Sequence, residues 1–218
     1  MKNWYQIKAQ VNKRADVYIY DYIGDYGVEA KAMVNELKAL DVEQINLRIN
    51  SPGGSVTDGF AIYNALQRHN AKVTTYIDGL AASMAGIIAL AADKVLIAEN
   101  AFYMIHNPWT VAIGDKNQLN QSIELLDKMG KLMLNIYSEK SGIDPNQVQE
   151  LMDAETWFTG AEALEEGFVD EVSESIELAA CVKADTYKNT PQTLIKHPEN
   201  NAVKALQRHK IALKRSLL

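Results

Sequence analysis

Short apolar runs alternate with helical patterns along most of the chain. Runs rich in β-branched and aromatic residues predict strands over 15–23, 44–50 and 72–78, with two more in KVLIAE and AFYMIH. Apolar residues spaced by three and four positions predict a helix over 27–40, a second in DGFAIYNALQRH, and a buried helix beginning in GLAASMAGIIALAAD. Because parallel strands need crossover connections, this order predicts an α/β fold of stacked, mostly parallel β-α-β units.

The longest helical pattern runs from about Asp115 to Lys140. Its apolar residues recur at steps of three and four: Leu119, Ile123, Leu126, Met129, Met133 and Ile136. Three leucines add apolar surface on other sides: Leu125, Leu132 and Leu134. A helix that is apolar on several sides needs a second partner surface, so we expect subunit contacts here. A short helix to Met152, the strand TWFT, the helix AEALEEG and the strand FVDEV then close the core near Val172.

Size and charge limit the class of protein. The chain has 218 residues, 47% of them hydrophobic, which is enough for one sizeable core with an appendage. Its net charge of −6 argues against a nucleic-acid-binding protein that relies on phosphate attraction. Residues 196–218 have six basic side chains against one acid, a local balance of +5. Such a tail is most often a solvated end, and the alternative is contact with a partner or a neighbouring subunit.

The cysteine content and the apolar runs indicate the compartment. Cys181 is the only cysteine, which excludes an internal disulfide and metal sites built on several cysteines, and fits a reducing cytoplasm. The first ten residues lack the apolar core of a signal peptide. The longest nearly apolar run, Gly79–Ala92, has 14 residues and is too short to span a bilayer. We expect a cytoplasmic protein with no membrane or nucleic-acid partner, no metal and no organic cofactor.

The segment DGLAASMAG (78–86) places Ser83 between a predicted strand and a predicted helix, among small residues. A sharp turn there would expose the hydroxyl, and small neighbours would let a substrate backbone approach, as a nucleophile requires. The amide of Met84, at the start of the helix, would then face an oxyanion. Close helix packing around a small buried serine is the alternative, and on this segment alone it is the preferred interpretation.

A glycine-rich turn, NSPGGS (50–55), follows the preceding predicted strand. Paired glycines let bare amides turn toward a ligand, although Pro-Gly-Gly is also common in plain tight turns. The turn lies one β-α unit ahead of Ser83, so both loops are expected at the edge of the sheet where ligands bind in open α/β folds. Amides of Gly53, Gly54 and Met84 together make an oxyanion hole plausible at this edge.

A histidine follows one of the later strands. Three of the four histidines lie in polar helical or tail sequence: His69, His197 and His209. His106 instead ends the apolar run AFYMI and precedes Asn107-Pro108, where proline marks the start of a loop. A lone histidine there is more often structural, but paired with Ser83 it becomes a candidate general base.

Together these segments closely resemble the ClpP family of self-compartmentalising serine peptidases, over about residues 16–172. INSPGGSVTDGFAIYNAL is similar to the family's glycine loop and following helix, GLAASMAG to its nucleophile turn, and MIHNP to its histidine strand. ETWFTGAEALEEGFVDEV is similar to its closing segment. IHNPW and MDAETWFT most resemble the branch found in phages and prophages, in which such enzymes process capsid or scaffold proteins.

The resemblance implies a role for each of these residues. Ser83 would attack the scissile carbonyl, and His106 would take its proton and pass it to the leaving amine. The amides of Gly53 or Gly54 and of Met84 would hold the oxyanion.

The acid of the triad departs from the family. The family's triad usually ends in aspartate, whereas the aligned residue here is Glu155. We expect Glu155 to orient the histidine, with Asp153 as the alternate acid. A surface acid near a helix end is the non-functional interpretation of Glu155.

The resemblance also implies a ClpP/crotonase-like fold, with a peptidase domain over 16–172 and the helix 115–140 as a projecting handle. In the family this handle joins two rings, so we expect stacked heptamers that act on polypeptides. Residues 1–15 would be a short N-terminal segment and 173–218 a C-terminal extension that ends in a basic helix. Family members have a longer leading segment that meets an ATP-driven unfoldase, so we do not extend that partner to this chain.

Two alternatives stay open. A crotonase-type acyl-CoA enzyme shares the fold and the paired amides, but it needs neither Ser83 nor His106. A ring-forming assembly factor with a vestigial triad is the second, and Glu155 leaves room for it. Its basic tail would then bind capsid or scaffold proteins, a hypothesis that fails if deleting 196–218 leaves partner binding unchanged.

Overall fold

The computed structural model of the chain describes residues 4–10, 12–24, 30–175 and 186–194. The chain divides into two compact units, Met1–Ala180 and Cys181–Leu218. In the second unit, the described residues include a short 3₁₀ helix, Gln192–Leu194. The basic tail over 196–218, and the helix predicted for it, lie outside the described residues.

Strands and helices alternate through the first unit. In its described part, eight strands form one sheet: β1 Tyr5–Gln10, β2 Arg14–Ile19, β3 Gln44–Ser51, β4 Lys72–Ala82, β5 Lys94–Ala98, β6 Phe102–Ile105, β7 Thr156–Thr159 and β8 Glu171–Ser173. Six α-helices accompany them: α1 Ala30–Ala39, α2 Val56–Gln67, α3 Met84–Ala89, α4 Lys116–Ser141, α5 Pro145–Asp153 and α6 Gly160–Glu165. Buried and half-exposed residues alternate along β2 and β3, as expected for strands with one face against a core.

The sheet is mostly parallel and branches at β4. Its main path runs β1-β2-β3-β4-β5-β8, with β1 antiparallel to β2 and every later pair parallel. Along β4 the neighbour changes, because Thr74–Ile77 pair with β5 whereas Leu80–Ala82 pair with β6. β7 then pairs antiparallel with β6. This architecture confirms the predicted α/β fold of stacked, mostly parallel units and matches the ClpP/crotonase-like expectation.

One strand and two element boundaries differ from the sequence-based expectation. β1 was not predicted, because its six residues have a weak apolar pattern and the strand forms by antiparallel pairing with β2. Residues Gly79–Ala82 extend β4, so that helix α3 begins at Met84 and not before the serine. The last strand begins at Glu171, later than FVDEV suggested, because Phe168 and Val169 are buried ahead of it.

Helix α4 has the length and the surface of a projecting handle. It is capped by a capping box at Asp115 and ends at Gly142 in the left-handed conformation. With 26 residues it is about 39 Å long, and its buried residues, Met133 and Tyr137, both lie in its second half. Large apolar residues are exposed on it: Leu119, Ile123, Leu125 and Leu132. Among the described residues, no helix combines the length and the apolar character needed to cross a membrane.

Candidate active site

Strand register brings Ser83 and His106 to the same edge of the sheet. In the parallel pair of β4 and β6, Ala82 lies opposite Met104. Ser83 directly follows β4, and its amide donates to the carbonyl of Met104 at 2.9 Å. His106 directly follows β6, so the two side chains leave the carboxyl ends of neighbouring strands.

The antiparallel pair of β6 and β7 adds the acid. Ile105, the last residue of β6, lies opposite Thr156, the first residue of β7. Glu155 directly precedes Thr156 and is therefore next to His106 across this pair. The three residues are far apart in the sequence, and two strand registers bring them together.

The serine and the histidine form a buried hydrogen-bonded pair. The Ser83 hydroxyl oxygen lies 2.8 Å from Nε2 of His106. The two residues are only 8% and 7% exposed, so little water competes for this bond. Ser83 has φ 56° and ψ −127°, a backbone conformation that residues other than glycine rarely adopt. Such strained conformations are concentrated at functional sites, and here the turn presents the hydroxyl to the histidine.

Hydrogen bonds from α3 and α4, and packing of aromatic rings, stabilise the turn at Ser83. The Ser83 carbonyl accepts the amide of Ile87 at 3.2 Å and the hydroxyl of Tyr137 at 3.4 Å. Tyr137 belongs to α4 and packs edge-on against Phe168, with ring centroids 6.0 Å apart. Tyr103 stacks on the same phenylalanine and donates its hydroxyl to the carbonyl of Gly86 at 3.1 Å. The base of the handle helix is thus in direct contact with the serine turn.

The glycine loop packs directly on the serine. Gly53 and Gly54 have φ of 92° and 148°. A Cβ on Gly53 would lie 2.7 Å from the carbonyl oxygen of Ala82 and 2.8 Å from the Cβ of Ser83. A Cβ on Gly54 would lie 2.3 Å from the carbonyl oxygen of Ile23. Only glycine fits at these two positions, because fixed backbone atoms occupy the space.

The amides near the serine have different partners. The amide of Gly53 donates to the hydroxyl of Ser51 at 3.1 Å. The backbone bridge to Ile23 uses the carbonyl of Gly53 and the amide of the residue after Gly54, so the amide of Gly54 takes part in neither contact. The amide of Met84 is the first of α3, where no intrahelical acceptor is available. Its nitrogen would lie 3.1 Å from a Cβ added to Gly53, so the amide is close to the glycine loop.

Burial and a neighbouring charge shift the pKa of His106 in opposite directions. Burial lowers the pKa of His106, and the charge of Glu155 raises it by a smaller amount, so the net pKa lies below its ordinary value. The imidazole is therefore neutral at pH 7 and able to accept a proton. Glu155 has φ 51°, and one of its oxygens accepts the indole N–H of Trp157 at 3.4 Å.

The alternate acid, Asp153, has other partners. Its Oδ1 accepts the side-chain amides of Asn107 and of Gln149, each at 2.7 Å. These hydrogen bonds lower the pKa of Asp153, with the Asn107 bond as the larger cause. The charge of Glu155, in contrast, raises the pKa of His106. Within the described ranges, no group of three or more His, Cys, Asp or Glu side chains is arranged to hold a metal ion.

Two supporting residues were not predicted from the sequence. Ser51 is fully buried, and its hydroxyl donates to the carbonyl of Asp21 at 2.7 Å while it accepts the amide of Gly53. Its position before Pro-Gly-Gly was a usable signal, since serine hydroxyls commonly cap turns. Tyr137 had no such local signal, because its contact with Ser83 depends on the packing of α4.

An apolar cavity of about 480 Å³ lies beside the two loops that follow Gly54 and His106. Its lining residues include Val56, Pro108, Trp109, Leu126 and Met129. The cavity is large enough to admit an apolar side chain of a bound polypeptide.

Comparison with known proteins agrees with this geometry. A sequence model of the Clp protease family matches residues 1–176. The ATP-dependent Clp protease proteolytic subunit 1 of Leifsonia xyli subsp. xyli is 38% identical over 138 residues, covering 62% of this chain and 70% of that protein. The ATP-dependent Clp protease proteolytic subunit of Streptococcus mutans serotype c is 36% identical over 157 residues, covering 68% of this chain and 80% of that protein. Since the family model spans most of the chain, the protein belongs to the Clp protease family and is a serine endopeptidase.

Proposed function

We propose that this endopeptidase cleaves polypeptides through Ser83 as nucleophile and His106 as general base. The observation that best supports this assignment is the 2.8 Å contact between the Ser83 hydroxyl and Nε2 of His106. The neutral imidazole takes the hydroxyl proton as Oγ attacks the scissile carbonyl carbon, and then gives that proton to the leaving amine. Water, deprotonated by the same imidazole, releases the acyl group from Ser83 and regenerates the enzyme.

The oxyanion of the tetrahedral intermediate is proposed to bind the amides of Gly54 and Met84. The amide of Gly53 already donates to Ser51, which supports Gly54 as the donor from this loop. Gly53 then serves the site by its lack of a side chain, because a Cβ there would meet the Cβ of Ser83 at 2.8 Å. A donor of this kind contributes roughly 10²–10³ in rate.

Glu155 is proposed as the acid that orients and stabilises the protonated His106. Two observations support this role: Glu155 precedes Thr156, which lies opposite Ile105 in the strand register, and the charge of Glu155 raises the pKa of His106. The apolar cavity next to Pro108 supports a preference for apolar side chains at the cleaved bond.

The assembly proposed for this chain is a pair of stacked heptameric rings. Members of the Clp protease family are peptidases that form oligomeric rings and act on polypeptides. Two features support pairing of rings through α4: its length, and the large apolar residues exposed on it and on the loop before it. The most exposed of these are Trp109, Val111 and Ile113.

The proposed substrates are capsid or scaffold proteins of a phage or prophage, cleaved in the cytoplasm. IHNPW and MDAETWFT, which resemble the phage branch of the family, support this proposal. The curated relatives are named as ATP-dependent, which makes generic proteolysis with an unfoldase the alternative. Incubation with a scaffold protein without ATP, compared with an unfolded generic protein with an ATP-driven unfoldase, separates the two. Cleavage of the generic protein alone would contradict the capsid proposal.

The catalytic assignment is tested with a fluorophosphonate probe on the assembled oligomer, with the adduct located by mass spectrometry. We expect labelling of Ser83, its loss in Ser83→Ala, and strong reduction in His106→Ala. Peptide hydrolysis should fall by about 10⁶-fold in Ser83→Ala. Ser175→Ala, which changes an exposed serine that follows β8, is the matched control and should label as the wild type does. An assembled oligomer that does not label at all would instead favour a catalytically silent assembly factor, and acyl-CoA binding would favour the crotonase alternative.

A further inference from the structure

Three polar side chains beside His106 form a closed network that the mechanism above does not use. Nδ2 of Asn107 donates to Oδ1 of Asp153 at 2.7 Å. Nε2 of Gln149 donates to the same oxygen at 2.7 Å and to Oδ1 of Asn107 at 3.2 Å. Each side chain therefore touches the other two, and we refer to Asn107, Gln149 and Asp153 as the polar triangle.

The polar triangle connects the two segments that position the histidine and the acid. Asn107 is the residue after His106, at the start of the loop that follows β6. Gln149 and Asp153 lie one turn apart on α5, which ends at Asp153. Glu155 follows two residues later. The triangle thus fastens the loop after the imidazole to the helix before the carboxylate.

Glu155 needs such support on its N-terminal side. Its φ of 51° is a conformation that only glycine adopts readily, so the surrounding structure must impose it. On the C-terminal side, pairing of Thr156 with Ile105 fixes the chain. On the N-terminal side, the end of α5 is held to the histidine loop by the bonds to Asp153.

We propose that Asp153 is a positioning residue, which holds the end of α5 against Asn107 and thereby sets the place of Glu155 beside His106. This proposal rests on the proposed function of Ser83, His106 and Glu155. It assigns to Asp153 a hydrogen-bonding role in place of the role of triad acid.

The test uses the fact that both bonds to Asp153 end on one oxygen, Oδ1. Asp153→Asn keeps an acceptor oxygen in the same place and removes only the charge, whereas Asp153→Ala removes both bonds. We expect Asp153→Ala to lower kcat for a fluorogenic peptide by about five- to tenfold with KM unchanged, the effect of two exposed hydrogen bonds. Asp153→Asn should stay within about twofold of the wild type, since its carbonyl oxygen still accepts both amides.

Exchanging the amide of Asn107 and the carboxylate of Asp153 provides an independent test. Asn107→Asp alone places two carboxylates at hydrogen-bond distance and should lower kcat at least as much as Asp153→Ala. Combining Asn107→Asp with Asp153→Asn restores one carboxylate and one amide in exchanged positions, and should recover most of the activity. Thermal unfolding and sedimentation of every variant check the fold and the assembly.

The outcomes separate the proposal from the function on which it rests. If Asp153→Asn and the double variant are as inactive as Asp153→Ala, the charge at position 153 is essential and Asp153 is the acid. If Asp153→Ala keeps the wild-type kcat, the polar triangle has no positioning role. Either result, with Ser83 still labelled in the wild type, overturns this proposal and leaves the roles of Ser83 and His106 intact. The first result also moves the role of the acid from Glu155 to Asp153. Absence of Ser83 labelling in the wild type overturns the proposed function and the proposal with it.

Discussion

At the residue scale, the proposed reaction of Ser83 depends on the protonation state of His106. Burial lowers the pKa of His106 more than the charge of Glu155 raises it. The pKa of His106 thus lies below its ordinary value of about 6.5, and the reactive neutral form of the imidazole predominates at pH 7. The rate should rise with pH along an acid limb whose midpoint lies below that value.

Replacement of Glu155 by glutamine tests how burial and the charge of Glu155 together set the pKa of His106. The change removes the charge that raises the pKa of His106, so the acid limb of the kcat/KM profile should move to lower pH. At the plateau, the rate should fall by a factor on the order of 10²–10⁴, because the protonated imidazole loses its partner. The profile is measured with a fluorogenic peptide from pH 5 to pH 9, and Glu150→Gln, an exposed acid on α5, is the control. An acid limb that stays at the same pH or moves to higher pH would contradict the electrostatic role of Glu155.

The individual site residues were predictable from the sequence to different degrees. Ser83, His106 and the two glycines follow apolar strands, and the ends of parallel strands meet at one edge, so the pattern made them candidates. Their combination and its resemblance to the family favoured a functional interpretation over a structural one. The resemblance to the family predicted Glu155 as the acid, with Asp153 as the alternate. The strand register and the side-chain bonds of Asp153 to Asn107 and Gln149, which support this preference, could not be predicted from the sequence. The same holds for Tyr137, whose contact with Ser83 is made by a distant helix.

At the element scale, the glycine loop and the serine turn behave as one unit. Gly53 contacts Ala82 and Ser83, and Gly54 contacts Ile23 in the segment after β2. The loop is therefore held between two other backbone segments and has no room to adjust. The element order was largely predictable from the apolar pattern, whereas strand β1 and the antiparallel pair of β6 and β7 depend on pairing between strands and were not.

An alanine at Gly54 should disrupt this unit. Its Cβ would lie 2.3 Å from the Ile23 carbonyl oxygen, so the loop must move and carry its amide away from Ser83. We expect Ser83 labelling to fall by roughly 10²–10³, as for loss of an oxyanion donor. Gly142→Ala is the matched control, because Gly142 also has a positive φ but a Cβ there would meet nothing within 4 Å. It should lower the free energy of unfolding by about 1 kcal/mol and leave labelling unchanged. Equal labelling of the two variants would refute the tight packing described for Gly54.

At the scale of the whole molecule, α4 connects the site to the proposed assembly. The hydroxyl of Tyr137, in its second half, reaches the Ser83 carbonyl, while Leu132 and residues nearer its N-terminus expose apolar surface. Several large apolar residues exposed on one helix are typical of a protein–protein interaction site. The long helix was predictable from its apolar spacing, and the resemblance to the family predicted its role as a handle, but its contact with the serine turn was not predictable.

A charge on this exposed surface should separate stacked rings. Leu132 is 54% exposed, so Leu132→Glu should leave the subunit folded while it places a carboxylate in the apolar contact. We expect sedimentation velocity to show a species of about half the wild-type mass. Gln121→Glu, which adds the same charge at an exposed polar position of α4, should sediment as the wild type does. An unchanged mass for Leu132→Glu would mean that this part of α4 does not join the rings.

The left-handed backbone at Ser83 and Glu155 has a consequence for protein design. Both residues adopt conformations, φ 56° and φ 51°, in which glycine is the most stable choice. A redesign that optimises folding free energy alone would therefore install glycine at both positions. Under the proposed mechanism the redesigned protein would be more stable but inactive, and retention of these two unfavourable residues is what selection for turnover over durability would produce.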